Sequence, residues 1–366
     1  MLSFNVQCLL QNNQDQFQLK VTGEVTNQGI TAIFGPSGCG KTTLFKTFAG
    51  LNQNATGAIK LGQQTWLDTQ QNIFIPAYQR GIGYVFQDAR LFPHLTVLDN
   101  LQFAIKRRLS DNPQYLSLTD AINLLSLEKL LNRFPYELSG GQQQRVAIAR
   151  GLLAASQLIL MDEPSAALDR ASRREIWSNL HHLAQQIAIP WLVISHDIHE
   201  VNQLADHVIL MEEGHITANI DIFQLSQYLP QQRLDLHHMV SVVEGNLTEH
   251  DELNHLSFFE LDGFSVCLHK LPYRPGCQIR LEIPAKDVSL ALEPNHNTSA
   301  LNSIPCTISK ITNIADGLCL IELTVKQQRI LSLITSKSCQ QLHLEPSKAI
   351  YASIKSVALL SRALAT

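Results

Sequence analysis

Short, continuous apolar runs alternate with helix-period segments through the first part of the chain. Residues 30–34 (ITAIF) form one such run, which ends at a Gly-rich turn before helical spacing begins at 41–49. Residues 158–161 run apolar into two acidic residues, and 191–195 (WLVIS) and 207–211 (HVILM) are further unbroken runs. Runs without polar alternation predict strands buried on both faces, so the pattern implies a parallel sheet in an α/β unit. Between about 95 and 155 the period is helical. Residues 119–131 place Ala121, Leu124, Leu125, Leu127 and Leu131 near one helix face, which predicts a helical subdomain inserted in the α/β unit. Beyond residue 231 the segments 258–269, 278–283, 306–311, 318–325 and 350–354 read as short strands, punctuated by Gly, Pro and Asn. That change of period predicts a second, all-β domain. The expected organisation is an α/β domain over 1–230 with its helical part at about 95–155, a linker and first β segment over 231–296, and a β domain over 297–362.

Composition narrows the function classes. Of the 366 residues 45% are hydrophobic and 16% are charged, with a net charge of −4. The apolar content supports packed cores and excludes disorder. The weakly acidic balance argues against nucleic acid as a partner. Apolar stretches such as 151–161 are too short for a spanning helix, and the first residues show no basic, apolar and small-residue order of a secretory signal. Seven Cys without CxxC spacing predict reduced thiols. The pairs His181-His182 and His237-His238 point to different faces, which makes them poor metal sites and places them at the surface.

The turn after the first apolar run carries chemistry. Gly35-Pro36-Ser37-Gly38-Cys39-Gly40-Lys41-Thr42 fits GxxxxGK[ST] between a strand and a helix, the context that the phosphate-binding loop requires. Glycines let successive backbone N–H groups turn toward phosphate oxygens, and the helix N-terminus adds positive potential. Lys41 reaches β- and γ-phosphates, the Thr42 hydroxyl suits Mg²⁺, and Thr43 suits the α-phosphate region. The strand at 158–161 ends in Asp162, placed to bind Mg²⁺, and Glu163, placed to polarise an attacking water as general base.

Leu138-Ser139-Gly140-Gly141-Gln142 resembles the LSGGQ signature of ABC-type ATPases and lies just upstream of the acidic strand, as in that family. The resemblance implies a RecA-like α/β P-loop ATPase domain with a helical subdomain, ATP and Mg²⁺ as ligands, and a head-to-tail homodimer. In that dimer Ser139, Gly140, Gly141 and Gln142 cap the ATP held by the partner. It also implies that Gln87 (Tyr84-Val85-Phe86-Gln87) senses Mg²⁺ and water, that Asp169 at the end of Ser165-Ala166-Ala167-Leu168-Asp169 crosses the dimer interface, and that His196 is the switch histidine at the γ-phosphate. One departure concerns the base. The family places an adenine-stacking aromatic upstream of the loop, whereas residues 11–16 here are Gln, Asn and Asp, with Phe17 the first aromatic.

Within that family the segment Asp88-Ala89-Arg90-Leu91-Phe92-Pro93-His94 and residues 279–290 are similar to the ATPase subunits of bacterial molybdate importers. The tail from about 298 to 360 resembles a Mop or TOBE module, an OB-like β-barrel. This likeness implies a peripheral protein at the cytoplasmic face of the inner membrane. Its implied partners are integral permease subunits, which would dock near Leu91, Phe92 and Leu95, and indirectly a periplasmic molybdate-binding protein. Ser299, Lys355 and Ser356 fall where related modules hold an oxyanion, while Leu301 stands where some carry Arg. The alternative readings are an importer ATPase for sulfate, iron or a sugar, and a soluble non-transport ABC ATPase.

Overall fold

The computed structural model describes residues 1–11, 16–109, 116–228, 239–261, 264–271, 273–294, 298–314, 317–326, 328–355 and 358–359. Contacts divide the chain into two compact units, Met1–Asp221 and Ile222–Thr366. The linker expected from 231 begins outside the described residues, as do His237 and His238.

In chain order the first unit opens with β1 (Leu2–Gln11), β2 (Gln16–Val25), β3 (Ile30–Phe34) and α1 (Lys41–Phe48). There follow β4 (Thr56–Leu61), β5 (Gln64–Asp68), β6 (Ile73–Phe74) and β7 (Ile82–Val85). Three helices come next: α2 (Val97–Lys106), α3 (Leu118–Leu124) and α4 (Gly140–Ala154). The unit closes with β8 (Leu158–Asp162), α5 (Arg170–Gln186), β9 (Trp191–Ile194), α6 (Ile198–Leu204), β10 (His207–Glu212) and β11 (His215–Asp221).

The expected parallel sheet is present, in the order β11-β10-β3-β9-β8-β7, with β11 antiparallel at one edge. Every residue of β8 and β9 is buried, which explains why they read as unbroken apolar runs. Alternate residues serve opposite faces. Leu158 and Leu160 join α1 and the antiparallel sheet β2-β1-β4-β5-β6 in one core, while Ile159 and Met161 join the helical side in the other. The antiparallel sheet was not legible in the apolar runs, because its strands alternate polar and apolar residues over one covered face.

The helical run expected over 119–131 is broken. α3 stops at Leu124, Ser126 takes a left-handed φ of 53°, and a short 3-10 turn covers Glu128–Leu130. The turn redirects Leu127 and Leu130 into the core that a continuous helix would share with Ala121.

Arg80 is a further feature of the first unit that the pattern did not announce. It is fully buried, and its guanidinium donates to the carbonyls of Ile75 (2.7 Å), Thr47 (3.0 Å), Phe48 (2.6 Å) and Trp66 (3.4 Å). Thr47 and Phe48 end α1, so a cation closes the negative end of the helix that starts at the phosphate loop. Its seat requires Gly50, where a Cβ would come within 2.7 Å of Arg80 Nε at a φ of 70°.

Among its described residues the second unit contains α7 (Leu225–Tyr228) and α8 (Ser336–Gln341) beside ten strands. The strands are β12 (Val240–Asp251), β13 (Leu256–Leu261), β14 (Phe264–His269), β15 (Gln278–Pro284), β16 (Val288–Ala291), β17 (Asn302–Ile314), β18 (Leu318–Val325), β19 (Gln328–Thr335), β20 (Ala349–Ile354) and β21 (Ala358–Leu359). They form two antiparallel five-stranded sheets, β14-β13-β12-β15-β21 and β16-β20-β17-β18-β19. One apolar core, including Phe259, Leu281, Ile304, Ile321 and Ile350, draws on both sheets, as an all-β barrel-like unit requires. The segment read as one strand over 258–269 is two paired strands. Its intervening Asp-Gly pair is a hairpin signal in the sequence.

Candidate active site

The order of the parallel sheet brings the sequence motifs together. β3 leads into the phosphate loop, β8 ends at Asp162, β9 is followed by Ser195 and His196, and β7 is followed two residues later by Gln87. All four run parallel, so these groups gather at the carboxyl ends of adjacent strands, where α/β sheets bind ligands.

Gly38 and Gly40 hold φ of 81° and 104°, and Gly40 caps the start of α1. A Cβ on Gly38 would meet nothing within 4 Å, which leaves the turn of the loop open to an incoming phosphate. At Gly35 a Cβ would strike the Met211 carbonyl at 2.1 Å, so β10 fixes the start of the turn. Lys41 is buried, and its ammonium donates to the carbonyls of Gly35 (2.8 Å) and Pro36 (2.9 Å). The cation therefore closes the loop on itself, and its charge lies where phosphate oxygens would replace those carbonyls. Cys39 is buried with Sγ 3.9 Å from Lys41 Nζ, and burial pushes its thiol pKa up despite that charge. A protonated, enclosed thiol is a packing residue.

Thr42 Oγ1 donates to Asp162 Oδ1 at 3.4 Å. A hydroxyl and a carboxylate facing each other at the mouth of a phosphate loop are hard oxygen donors that fit Mg²⁺. Burial, more than the nearby Glu163, raises the Asp162 pKa, and the Thr42 hydrogen bond opposes the rise. A carboxyl raised on folding destabilises the fold above its folded pKa, and the penalty fades as pH falls through that value. Asp162→Asn is therefore expected to raise the thermal midpoint of the protein at pH 7. Thermal scans carried downward from pH 7 test this, and the stabilisation should shrink as pH falls through the raised pKa.

Glu163 stands at the end of β8 with a left-handed φ of 47°. Its backbone N–H is anchored to the Ile194 carbonyl at 3.1 Å. Non-glycine residues in that region cost about 1–3 kcal/mol and persist where the surroundings impose them. The carboxylate is bracketed: Gln87 Nε2 donates to Oε2 at 3.1 Å, and His196 Nδ1 lies 3.3 Å from Oε1. The three residues selected from the sequence as catalytic thus meet at one carboxylate.

The signature residues gather elsewhere. Ser139 caps α4, its Oγ accepting from the Gln142 N–H at 3.4 Å while Gln142 Oε1 accepts from the Ser139 N–H at 3.0 Å. Gly141 packs against Ala167, where a Cβ would come within 3.1 Å of the carbonyl. Ser139, Gly141, Gln142, Lys129, Arg145 and Asp169 line a cleft of about 500 Å³. The signature and the Asp169 loop therefore form one surface, and Lys41, Asp162, Glu163 and His196 are not among its lining residues.

Leu91, Phe92 and Leu95 are half-buried. Phe92 meets Phe103 edge-on at 4.7 Å, and Arg90 lies over the Phe86 ring at 4.1 Å. Phe17 packs beside the phosphate loop, where a Cβ on Gly40 would come within 2.9 Å of its ring. Ser299 and Lys355 are exposed, and Ser356 lies outside the described residues. Asn302 pairs with Ile354 in the β17–β20 register, which puts Ser299 and Lys355 near one end of that pair. Asn302 itself is occupied, because its side chain clamps the backbone N–H and carbonyl of Cys267 at 2.7 and 3.0 Å. His181, expected at the surface, is buried with Nε2 3.0 Å from Asp206 Oδ1. That carboxylate also accepts from the Ile30 N–H at 2.9 Å, so the pair ties α5 to the first strand of the site.

The family described as ABC transporter matches residues 19–166, and the TOBE domain matches residues 298–360. The molybdenum import ATP-binding protein ModC of Albidiferax ferrireducens is 38% identical over 95% of this chain and 94% of its own length. ModC 1 of Azotobacter vinelandii is 39% identical, over 94% and 95% respectively. Among solved structures, a dimeric ATP-binding cassette bound to ADP and Pi in a post-hydrolysis state is similar with a TM-score of 0.52 and 28% identity, over 61% of this chain and 99% of the other.

Proposed function

The chain belongs to the molybdenum import ATP-binding protein family of ABC transporters, and on that premise we propose that it hydrolyses ATP to energise molybdate import through a separate membrane permease. The observation that carries the ATPase reading is the bracketed Glu163 beside the Thr42–Asp162 pair and the phosphate loop. Identity sustained across the β unit as well as the ATPase unit supports the substrate.

The protein's part in the chemistry is positioning and charge. Lys41 leaves the Gly35 and Pro36 carbonyls for the β- and γ-phosphates, and the loop N–H groups and the α1 N-terminus hold their oxygens. Thr42 and Asp162 would hold Mg²⁺, which would neutralise phosphate charge. Glu163 accepts the proton of the attacking water, Gln87 orients that water, and His196 faces the γ-phosphate. A second copy supplies Ser139 and Gly141 to the same phosphate, as the dimeric state of the similar cassette supports. The protein is a peripheral subunit on the permease. No helix among the described residues is long and apolar enough to cross a membrane. A periplasmic molybdate-binding protein delivers the anion to the permease, and Ser299 and Lys355 contact an oxyanion in the β unit.

Uptake of radiolabelled molybdate, with sulfate as control, tests the substrate in cells whose only copy is the wild type or Lys41→Ala. Uptake is expected to fall to background for molybdate alone in the variant. Loss of sulfate uptake instead would leave the mechanism standing and overturn the substrate.

A further inference from the structure

Glu200 lies in the first turn of α6 and is buried, with 6% of its surface exposed. A carboxylate in the first turn of a helix ordinarily serves the helix's own N–H groups. Here Asp197 takes that role, accepting from the His199 N–H at 2.9 Å. Both oxygens of Glu200 reach outward instead. Oε1 accepts from the Ser165 hydroxyl, two residues after Glu163, and Oε2 accepts from the Ser195 hydroxyl at 2.7 Å, one residue before His196.

Arg173 completes the arrangement from α5. Its Nη1 lies 3.2 Å from Glu200 Oε1 and 3.8 Å from Asp197 Oδ2, so it neutralises the buried carboxylate and touches the residue after His196. Its Nη2 donates to the carbonyls of Leu168 (3.1 Å) and Ser165 (3.4 Å), the two ends of the segment that leads to Asp169. One ion pair therefore holds both flanks of His196 and both ends of the 165–168 turn.

We infer that Glu200, charge-balanced by Arg173, is a positioning residue that locks the 165–169 turn to the 195–197 turn and so fixes His196 against Glu163. The inference rests on the ATPase reading above. Its chemical basis is the charged, two-sided acceptor: a carboxylate accepts from two hydroxyls at once and balances Arg173, whereas an amide of the same shape is neutral, accepts on one side only and must donate on the other. With the Arg173 pairing and one acceptor lost, the two turns are coupled only weakly. The Glu163–His196 contact of 3.3 Å is then set by neither turn. Both Glu200 oxygens are engaged by Ser165, Ser195 and Arg173, so its effect falls on the step after ATP is held.

The test is steady-state ATP hydrolysis by the full chain, with wild type, Glu200→Gln, Ser165→Ala, Ser195→Ala, the Ser165→Ala/Ser195→Ala double variant and the two Gln–Ala double variants, beside thermal midpoints. Glu200→Gln is expected to lower kcat about tenfold, or about 1.4 kcal/mol, with the KM for MgATP within about twofold of wild type. Each serine variant alone should lower kcat about threefold, and should add little to Glu200→Gln because the three act as one unit. Unchanged kcat in Glu200→Gln would overturn the inference. So would serine effects that add fully to it, or a loss that follows the thermal midpoint and raises KM, because these mark a purely structural contact. Should Glu200→Gln fail to fold, the Ser165–Ser195 double-mutant cycle decides by the same coupling. Absence of hydrolysis by wild type would sink the ATPase reading itself, which separates the two failures.

Discussion

Glu163→Gln is expected to lower kcat for ATP hydrolysis by about 100-fold or more, the scale of losing a general base, while MgATP binding is retained. The amide keeps the size of the carboxylate and can still face His196 Nδ1, 3.3 Å away, and Gln87, 3.1 Å away. What it loses is the ability to take a proton from water at the moment of attack. The phosphate loop and the Thr42–Asp162 pair are untouched, so the ground-state complex forms and its breakdown stalls. Turnover measured beside nucleotide binding separates the two effects, and size-exclusion in MgATP should show the variant accumulating as a dimer. Rapid turnover by this variant would remove Glu163 from the role of base. A matched fall in affinity and kcat would instead place it among the phosphate or metal contacts.

The largest effect on stability is expected at Arg80. Arg80→Met keeps most of the aliphatic stem but removes the donors that serve Ile75, Thr47, Phe48 and Trp66. Four carbonyls in a closed site then lose their partner, each at a cost of about 1 kcal/mol or more. The α1 C-terminus also loses the cation that balances it. A loss of roughly 4 kcal/mol follows, or on the order of 10 °C in the midpoint of a unit this size. Thermal or denaturant unfolding of the variant measures it. The burial that makes this arginine costly to remove also pushes its pKa down to about 10, so it stays charged at neutral pH. Because α1 begins at Lys41, the melted helix end should also weaken MgATP binding. A midpoint within a degree or two of wild type would show that water replaces the guanidinium and that the cage is not closed.

The parts of the candidate site that were legible share one property: each is a local backbone motif. A glycine-rich turn between strand and helix, two acids at the end of an apolar strand, and a Ser-Gly-Gly helix start all have their conformation set by residues within a few positions. Gly40 at φ 104° and the Ser139–Gln142 capping box are the outcomes of those local rules. The runs that became β3, β8, β9 and β10 were equally legible, because strands buried on both faces leave no polar position to obscure them. Strands with one solvated face, such as β1 and β2, gave weaker patterns, and the helix over 119–131 was overextended because leucine spacing alone does not report the turn at Ser126.

The residues that were missed act across long separations. Arg80 closes a helix that ends 32 residues earlier, Glu200 bonds Ser165 35 residues before it, and Asp206 receives the N–H of Ile30 from 176 residues away. No spacing rule connects such positions, and each side chain reads as an ordinary surface charge until the strands are ordered. The sequence by itself therefore determined the phosphate loop, the acidic pair, the signature and the change from α/β to all-β, since short-range sterics and hydrogen bonding dictate these. Only the tertiary structure decided that β3 lies between β9 and β10, that Gln87 and His196 converge on one carboxylate, and that a buried ion pair ties their loops together. Those outcomes depend on which apolar faces pack against each other, a choice made by the whole core rather than by any one segment.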